Sequence, residues 1–276
     1  MQRKNRLLCL IDFSEFTETT LRHAKSFSGC LDAELVLIHQ LAPIVPSRAS
    51  ESLREQVYKN EEEDAYERLT KLAGPLFDTL PKMVASEKDF SEVLQGLKAP
   101  DYFDWLFLGL KGTSFIEQIF LGSKAAEVLN QTDFVSVAVP LSKEVCNPKE
   151  LVVAVDPETS FDPSHLLEML PQIPGGVARI TFLSITSSER SDADVQASLS
   201  SLAAACSAYT TDTVIFNSGE EIKEIERFMS DKEDCFLVLQ AGDPDTHDFI
   251  FNRGLVNELV YKSIVPMIVL PRKTKG

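Results

Sequence analysis

"RLLCLIDFSEFTETTLRHAKSFS", residues 6 to 28, decides the fold. An unbroken apolar run, Leu7 to Ile11, stops at Asp12, and a segment of helical character follows it. A short continuous run of this kind reads as a strand buried on both faces, the kind a parallel sheet requires. "ELVVAVD", residues 150 to 156, stops at Asp156 in the same way, 144 positions after Asp12. A second run follows each, "AELVLIHQL" from Ala33 and "ARITFLSIT" from Ala178, 145 positions apart. So regular an offset is the mark of an internal repeat.

The later part of each half aligns without gaps at an offset of 131: "LFLGL" from 106 with "LVLQA" from 237, and "FLGSKAAEVLNQTDFVSVAVP" from 120 with "FNRGLVNELVYKSIVPMIVLP" from 251. The offset shrinks because the first copy alone carries "RASESLREQVYKNEEEDAYERLTKL", residues 48 to 72. That stretch predicts a long exposed helix with a broken apolar stripe of Leu53, Val57, Tyr66, Leu69 and Leu72. Each copy then runs strand, helix, strand, long helix, strand, helix, strand, loop, helix, strand. Such alternation implies right-handed crossovers. The expected fold class is α/β: two tandem Rossmann-like domains, residues 1–142 and 149–276, each a five-stranded parallel sheet flanked by helices. The linker falls near "LSKEVCNPKE", residues 141 to 150.

Composition narrows the partners. Lys and Arg number 27 against 42 Asp and Glu, a net charge of −15. A surface of that sign repels nucleic acid and anionic lipid, so neither is expected as a partner. No apolar segment approaches the roughly 20 residues of a spanning helix, and the N-terminal apolar run is too short for a signal peptide, which points to the cytoplasm. The five cysteines are odd in number and lack C-x-x-C spacing, so neither a disulfide framework nor a zinc site is indicated.

The chain has only 12 glycines, yet "GLKGTSFIEQIFLGS", residues 109 to 123, uses three of them. Gly109 and Gly112 follow a buried strand, and Gly122 with Ser123 opens a helix. Ligands of open parallel sheets bind at the carboxyl ends of the strands. Glycine lets backbone amides approach a phosphate, and the free amides of a helix N-terminus favour an anion. Ser123 offers a hydroxyl, and Lys124 or Lys111 a positive charge. Glycines at such places also serve as ordinary turn residues, so the spacing alone leaves both readings open. The motif is neither a Walker loop nor a G-x-G-x-x-G fingerprint.

With those residues in view, the sequence resembles a tandem universal stress protein. "LIDFSEFTETTLRHAKSFS", "AELVLIHQL" and the G-x2-G-x9-G-[ST] motif match that family in order across nearly all of the first half, and the second half matches by layout. The resemblance implies an adenine nucleotide alpha hydrolase-like fold and an ATP, or other adenine nucleotide, bound in the first domain together with Mg²⁺. It places Asp12 and Gln40 beside the adenosine and Gly109, Gly112, Gly122 and Ser123 around the ribose and phosphates, where Lys124 is the candidate positive charge. The segment "EKDFSEVLQGLK" lacks the family's usual Gly-x-Pro, and Gln40 stands where an aliphatic residue is common. Family members pair through their last strand. The resemblance therefore implies an intramolecular pseudo-dimer through "VSVAVP" and "MIVLP", which proline at Val137 or Ile268 would weaken, and leaves room for a further homodimer.

The second copy has lost the motif: Gly109 maps to Gln240, Gly112 to Asp243, Gly122 to Arg253 and Ser123 to Gly254. Asp243, Asp245, His247 and Asp248 can ligate a metal, although a charged surface loop is written with the same letters, and no metal is assigned. His39 ends a strand near the ligand edge, whereas His23 and His165 fall in helical segments. No catalytic residue is assigned, because neither a Ser-His-Asp order nor a pair of catalytic carboxylates emerges. The reading that results is a stress-response nucleotide-binding protein. Its rivals are a ligand-free interaction scaffold and an enzyme, either of slow ATP hydrolysis or of self-phosphorylation on a hydroxyl such as Ser123, Thr113 or Ser114.

Overall fold

The computed structural model describes residues 3–42, 48–110, 133–141, 148–156, 161–186, 192–218, 220–241 and 265–271. The chain forms two compact units, Met1–Phe107 and Leu108–Gly276. Both are α/β, with parallel strands flanked by helices, as the alternation of runs requires.

The first unit contains β1 (Lys4–Ile11), α1 (Thr17–Cys30), β2 (Glu34–Gln40), α2 (Glu51–Ala73), β3 (Lys82–Ser86), α3 (Phe90–Leu97) and most of β4 (Tyr102–Leu110). Its strands lie in the order β3-β2-β1-β4 and all are parallel, with Leu8 opposite Val36 and Cys9 opposite Phe107. Leu7, Leu8 and Cys9 are fully buried, which explains why the run is apolar without alternation. Helix α1 turns Leu21, Ala24 and Phe27 to the sheet at helical spacing, and Phe27 meets Trp105 edge-on and Phe107 at 5.9 Å. The buried Trp105 keeps its polar tip satisfied, since Nε1 donates to Asn5 Oδ1 at 3.0 Å.

One charge pair lies in this interior. Arg6 Nε and Nη2 reach the two carboxylate oxygens of Asp104 at 2.6 and 3.0 Å, Nη2 also donates to the Leu97 carbonyl, and the Tyr102 ring lies 4.3 Å from the guanidinium. Both side chains are 7% exposed, so each charge depends on the other.

Helix α2 starts on a capping Ser50, whose Oγ accepts from Leu53 N at 3.3 Å. The expected stripe is corrected: Leu69 is buried, but it is joined by Ala65 and Ala73, while Leu53 is 45% exposed and Tyr66 36%. Tyr66 and Thr70, in the C-terminal half of the helix, reach β3 at the Ala85 amide and the Met83 sulfur.

The second unit contains β5 (Val135–Pro140), β6 (Glu150–Ala154), α4 (Ser164–Met169), β7 (Arg179–Thr186), α5 (Asp192–Ala205), β8 (Thr211–Asn217), α6 (Glu221–Met229), β9 (Cys235–Gln240) and β10 (Met267–Leu270). The strand order is β5-β10-β9-β6-β7-β8. The β10-β9-β6-β7-β8 strands are parallel, and β5 joins β10 antiparallel, with Met267 opposite Ala138 and Val269 opposite Ser136. Because β5 pairs with the last strand of the chain, it belongs with the second compact unit although it closes the first copy of the repeat.

Cys9, Cys206 and Cys235 are free, buried thiols, and burial raises each pKa, that of Cys235 to about 12. They are inert. Cys30 is disulfide-bonded, which corrects the expectation drawn from the odd count and the missing C-x-x-C spacing.

Candidate functional site

The carboxyl ends of β1, β2 and β3 bring together the residues that the sequence singles out in the first unit. Asp12 follows β1 directly and is exposed. Its Oδ1 accepts from the Ser14 amide at 3.1 Å and from the Thr17 hydroxyl at 3.3 Å, which closes a tight turn into α1. The helix has no side-chain cap, so Asp12 shapes the turn and does not cap the helix amides. Among the described residues Oδ2 has no hydrogen-bond partner.

Phe13 sits in this turn with φ of 56°, a backbone region that a bulky side chain rarely adopts. Its ring packs on a small cluster of Leu41, Ala65 and Ala85. The His39 ring is 4.2 Å from it, centroid to centroid, and the Arg68 guanidinium lies 4.0 Å from its centre. Strained backbone held by packing of this kind concentrates at functional sites.

His39 is half-buried at the end of β2, and its Nδ1 lies 2.8 Å from the Ile11 carbonyl. A carbonyl can only accept, so Nδ1 carries the proton. Burial lowers the imidazole pKa and Arg68 adds to that; the Ile11 hydrogen bond, Asp12 and Glu61 pull it back up, and the net direction is down. Gln40, the next residue, donates from Nε2 to Asp89 Oδ1 at 3.4 Å, a long contact at the start of α3.

Of the motif residues, Gly109 lies in the last part of β4, within the second unit, and is buried. Gly112, Gly122, Ser123 and Lys124 lie outside the described residues, as do Lys111 and the Asp243, Asp245, His247 and Asp248 loop. Sequence reasoning missed Phe13 as a packing centre and missed Arg68 altogether. The letter Phe13 was visible inside "DFS", but Arg68 is 55 positions away with nothing local to connect the two.

The second copy handles the same edge differently. Gln240, which stands where the first copy has Gly109, closes both ends of its amide on one backbone unit: Oε1 accepts from Asp162 N at 3.0 Å and Nε2 donates to Asp162 O at 3.1 Å. Asp156, which corresponds to Asp12, is buried at 7% exposure. Among the described residues, the Gln240 side chain thus ties this edge to Asp162.

Residues 4–140 match the model of the Universal stress protein family. The chain belongs to that family. A universal stress protein from Archaeoglobus fulgidus DSM 4304 shares its fold with a TM-score of 0.62 at 17% identity, covering 98% of this chain and 99% of that one. A functionally unknown protein from Pseudomonas aeruginosa PAO1 is similar at a TM-score of 0.52 and 11% identity, covering 98% and 92%. No curated protein matches the sequence. Among the described residues no helix is long and apolar enough to cross a membrane.

Proposed function

We propose that the first half of this universal stress protein binds an adenine nucleotide, ATP before others, in the cytoplasm, and that the second half is a degenerate copy that does not. The observation that carries this reading is Asp12: one carboxylate oxygen is fixed by Ser14 and Thr17, and the other is presented at the carboxyl end of β1. An oriented, exposed carboxylate there suits the hydroxyl donors of a ribose or the amine of a base. Gln40 adds an amide at the end of the next strand. The motif residues Gly109, Gly112, Gly122, Ser123 and Lys124 would take the phosphates on backbone amides, a hydroxyl and an ammonium, with Mg²⁺ sharing the charge. The contrast with the second copy supports a single site: among the described residues there, the Gln240 amide is closed on Asp162 and Asp156 is buried.

Calorimetric titration of the full chain with ATP tests the reading. One site per chain is expected. Asp12→Asn keeps an acceptor for the Ser14 amide but loses the charge, so affinity should fall about tenfold or more, roughly 1.4 kcal/mol, at unchanged thermal stability. Gly122→Asp should abolish binding by placing a negative side chain on the phosphate path. Two equal sites, or unaltered affinity in both variants, would remove the proposal.

A further inference from the structure

The Ser14 amide reaches Asp12 Oδ1 at 3.1 Å across a single residue, Phe13. The dihedral angles of that residue therefore decide whether the turn closes at all. Phe13 holds φ at 56°, a left-handed conformation that is unfavourable for a bulky side chain. Such a conformation persists where the surroundings hold the side chain in place.

Leu41, directly after β2, Ala85 on β3 and Ala65 on α2 form the buried cluster under the Phe13 ring. The centre of the His39 ring lies 4.2 Å from its own. Arg68 comes from α2, three residues after Ala65 and so on the same side of the helix. Its guanidinium carbon is 4.0 Å from the ring centroid, a close contact for a cation on an aromatic ring. The Asp64 carboxylate, one turn back on α2, lies 3.6 Å from Arg68 Nη1, and both side chains are at least half exposed. An exposed pair of that length contributes little, whereas the ring contact reaches the turn itself. The Arg68 charge also lowers the pKa of His39, which puts it within electrostatic reach of the strand ends.

We propose that Arg68 is a positioning residue for ligand binding: its contact with the Phe13 ring holds the left-handed turn that presents Asp12 at the carboxyl end of β1. The effect passes through one chain of causes. The guanidinium holds the ring, the ring holds φ, and φ sets where the Ser14 amide lies relative to Asp12 Oδ1. The identity of the ligand rests on the nucleotide reading above, but the clamp on the turn does not. Arg68 belongs to the stretch, residues 48 to 72, that the first copy of the repeat alone carries. The clamp is thus confined to the copy that keeps the glycine motif.

Amide hydrogen exchange at Ser14 reads the clamp without a ligand. Arg68→Ala should speed that exchange about three- to fivefold, the factor to which a half-exposed cation–π contact corresponds, while amides inside α1 keep their wild-type rates. Arg68→Lys retains a cation for the ring and should stay within about twofold of wild type. Calorimetric titration of the full chain with ATP should follow the same pattern, with Kd raised about three- to fivefold in Arg68→Ala and close to wild type in Arg68→Lys. In a Phe13→Gly background, where the ring is gone and a positive φ is unstrained, Arg68→Ala should change neither measurement further. Unchanged Ser14 exchange in Arg68→Ala overturns the proposal, and so do exchange that rises throughout α1 and a lysine variant that behaves like the alanine one. Faster exchange with undiminished ATP affinity overturns it too, as does an equal loss of affinity in both backgrounds, because the guanidinium would then act on the ligand itself. A wild-type chain that binds no ATP removes the nucleotide reading, and Ser14 exchange then decides the clamp. Should Phe13→Gly fail to fold, the Arg68 variants alone decide.

Discussion

His39 links the turn after β1 to solution pH. Its Nδ1 proton is committed to the Ile11 carbonyl, Phe13 covers one side of the ring, and Arg68, Asp12 and Glu61 are the charges that it senses. The folded-state pKa lies below the ordinary 6.5, so in the range just under that value the unfolded chain binds a proton that the folded chain refuses. Stability contributed by neutral His39 is therefore fully present above 6.5 and is lost as pH falls through the folded pKa. Urea unfolding between pH 7 and pH 5 should show a decline that is shallower in His39→Gln, whose amide retains a donor for Ile11. Equal slopes in the two proteins would show that the imidazole does not titrate against the fold.

At the scale of elements, α2 shows what sequence pattern conveys and what it omits. Its existence and length are legible, because a charged stretch with a Ser50 cap admits little else. The end that packs is not, since Leu53, Val57 and Leu69 look alike as letters. Only Leu69 is fully buried. Leu69→Ala should cost about 2–5 kcal/mol in denaturant unfolding, whereas Leu53→Ala should stay within about 0.5 kcal/mol. Comparable losses in both would mean that the N-terminal half of the helix packs in solution. The strands were far easier to read: burial on both faces writes Leu7–Ile11 and Leu151–Val155 as continuous apolar runs, and both end on aspartate. The site was legible at Asp12, whose position at a strand end carries its role, and illegible at Phe13, where a positive φ falls on a residue type that gives no sign of it. The offset of 131 marked Gln240 as a lost glycine, but that its amide would close on Asp162 depends on a contact 78 residues away.

Across the whole molecule, the antiparallel match of β5 with β10 joins the strand that ends the first copy of the repeat to the strand that ends the second. We propose that this seam makes the chain an internal pseudo-dimer whose copies unfold together. Its hydrogen bonds can be assigned strand by strand. Leu237 N donates to Pro266 O and Ala241 N to Leu270 O, so even-numbered residues of β10 serve β9, and Met267 and Val269 serve the seam. Leu141 N donates to Leu110 O, so odd-numbered residues of β5 serve β4, and Ser136 and Ala138 serve the seam. Val137 and Ile268, the positions that sequence alone suggests for proline, oppose each other without bonding and would damage the neighbouring ladders instead. Ala138→Pro removes a seam donor alone. With the seam coupling the copies, the wild-type chain should unfold in one transition by calorimetry, and Ala138→Pro should split it into two as each copy melts on its own. A single transition in the variant, wherever its midpoint falls, would mean that the seam does not couple them and that the copies are held together by other contacts.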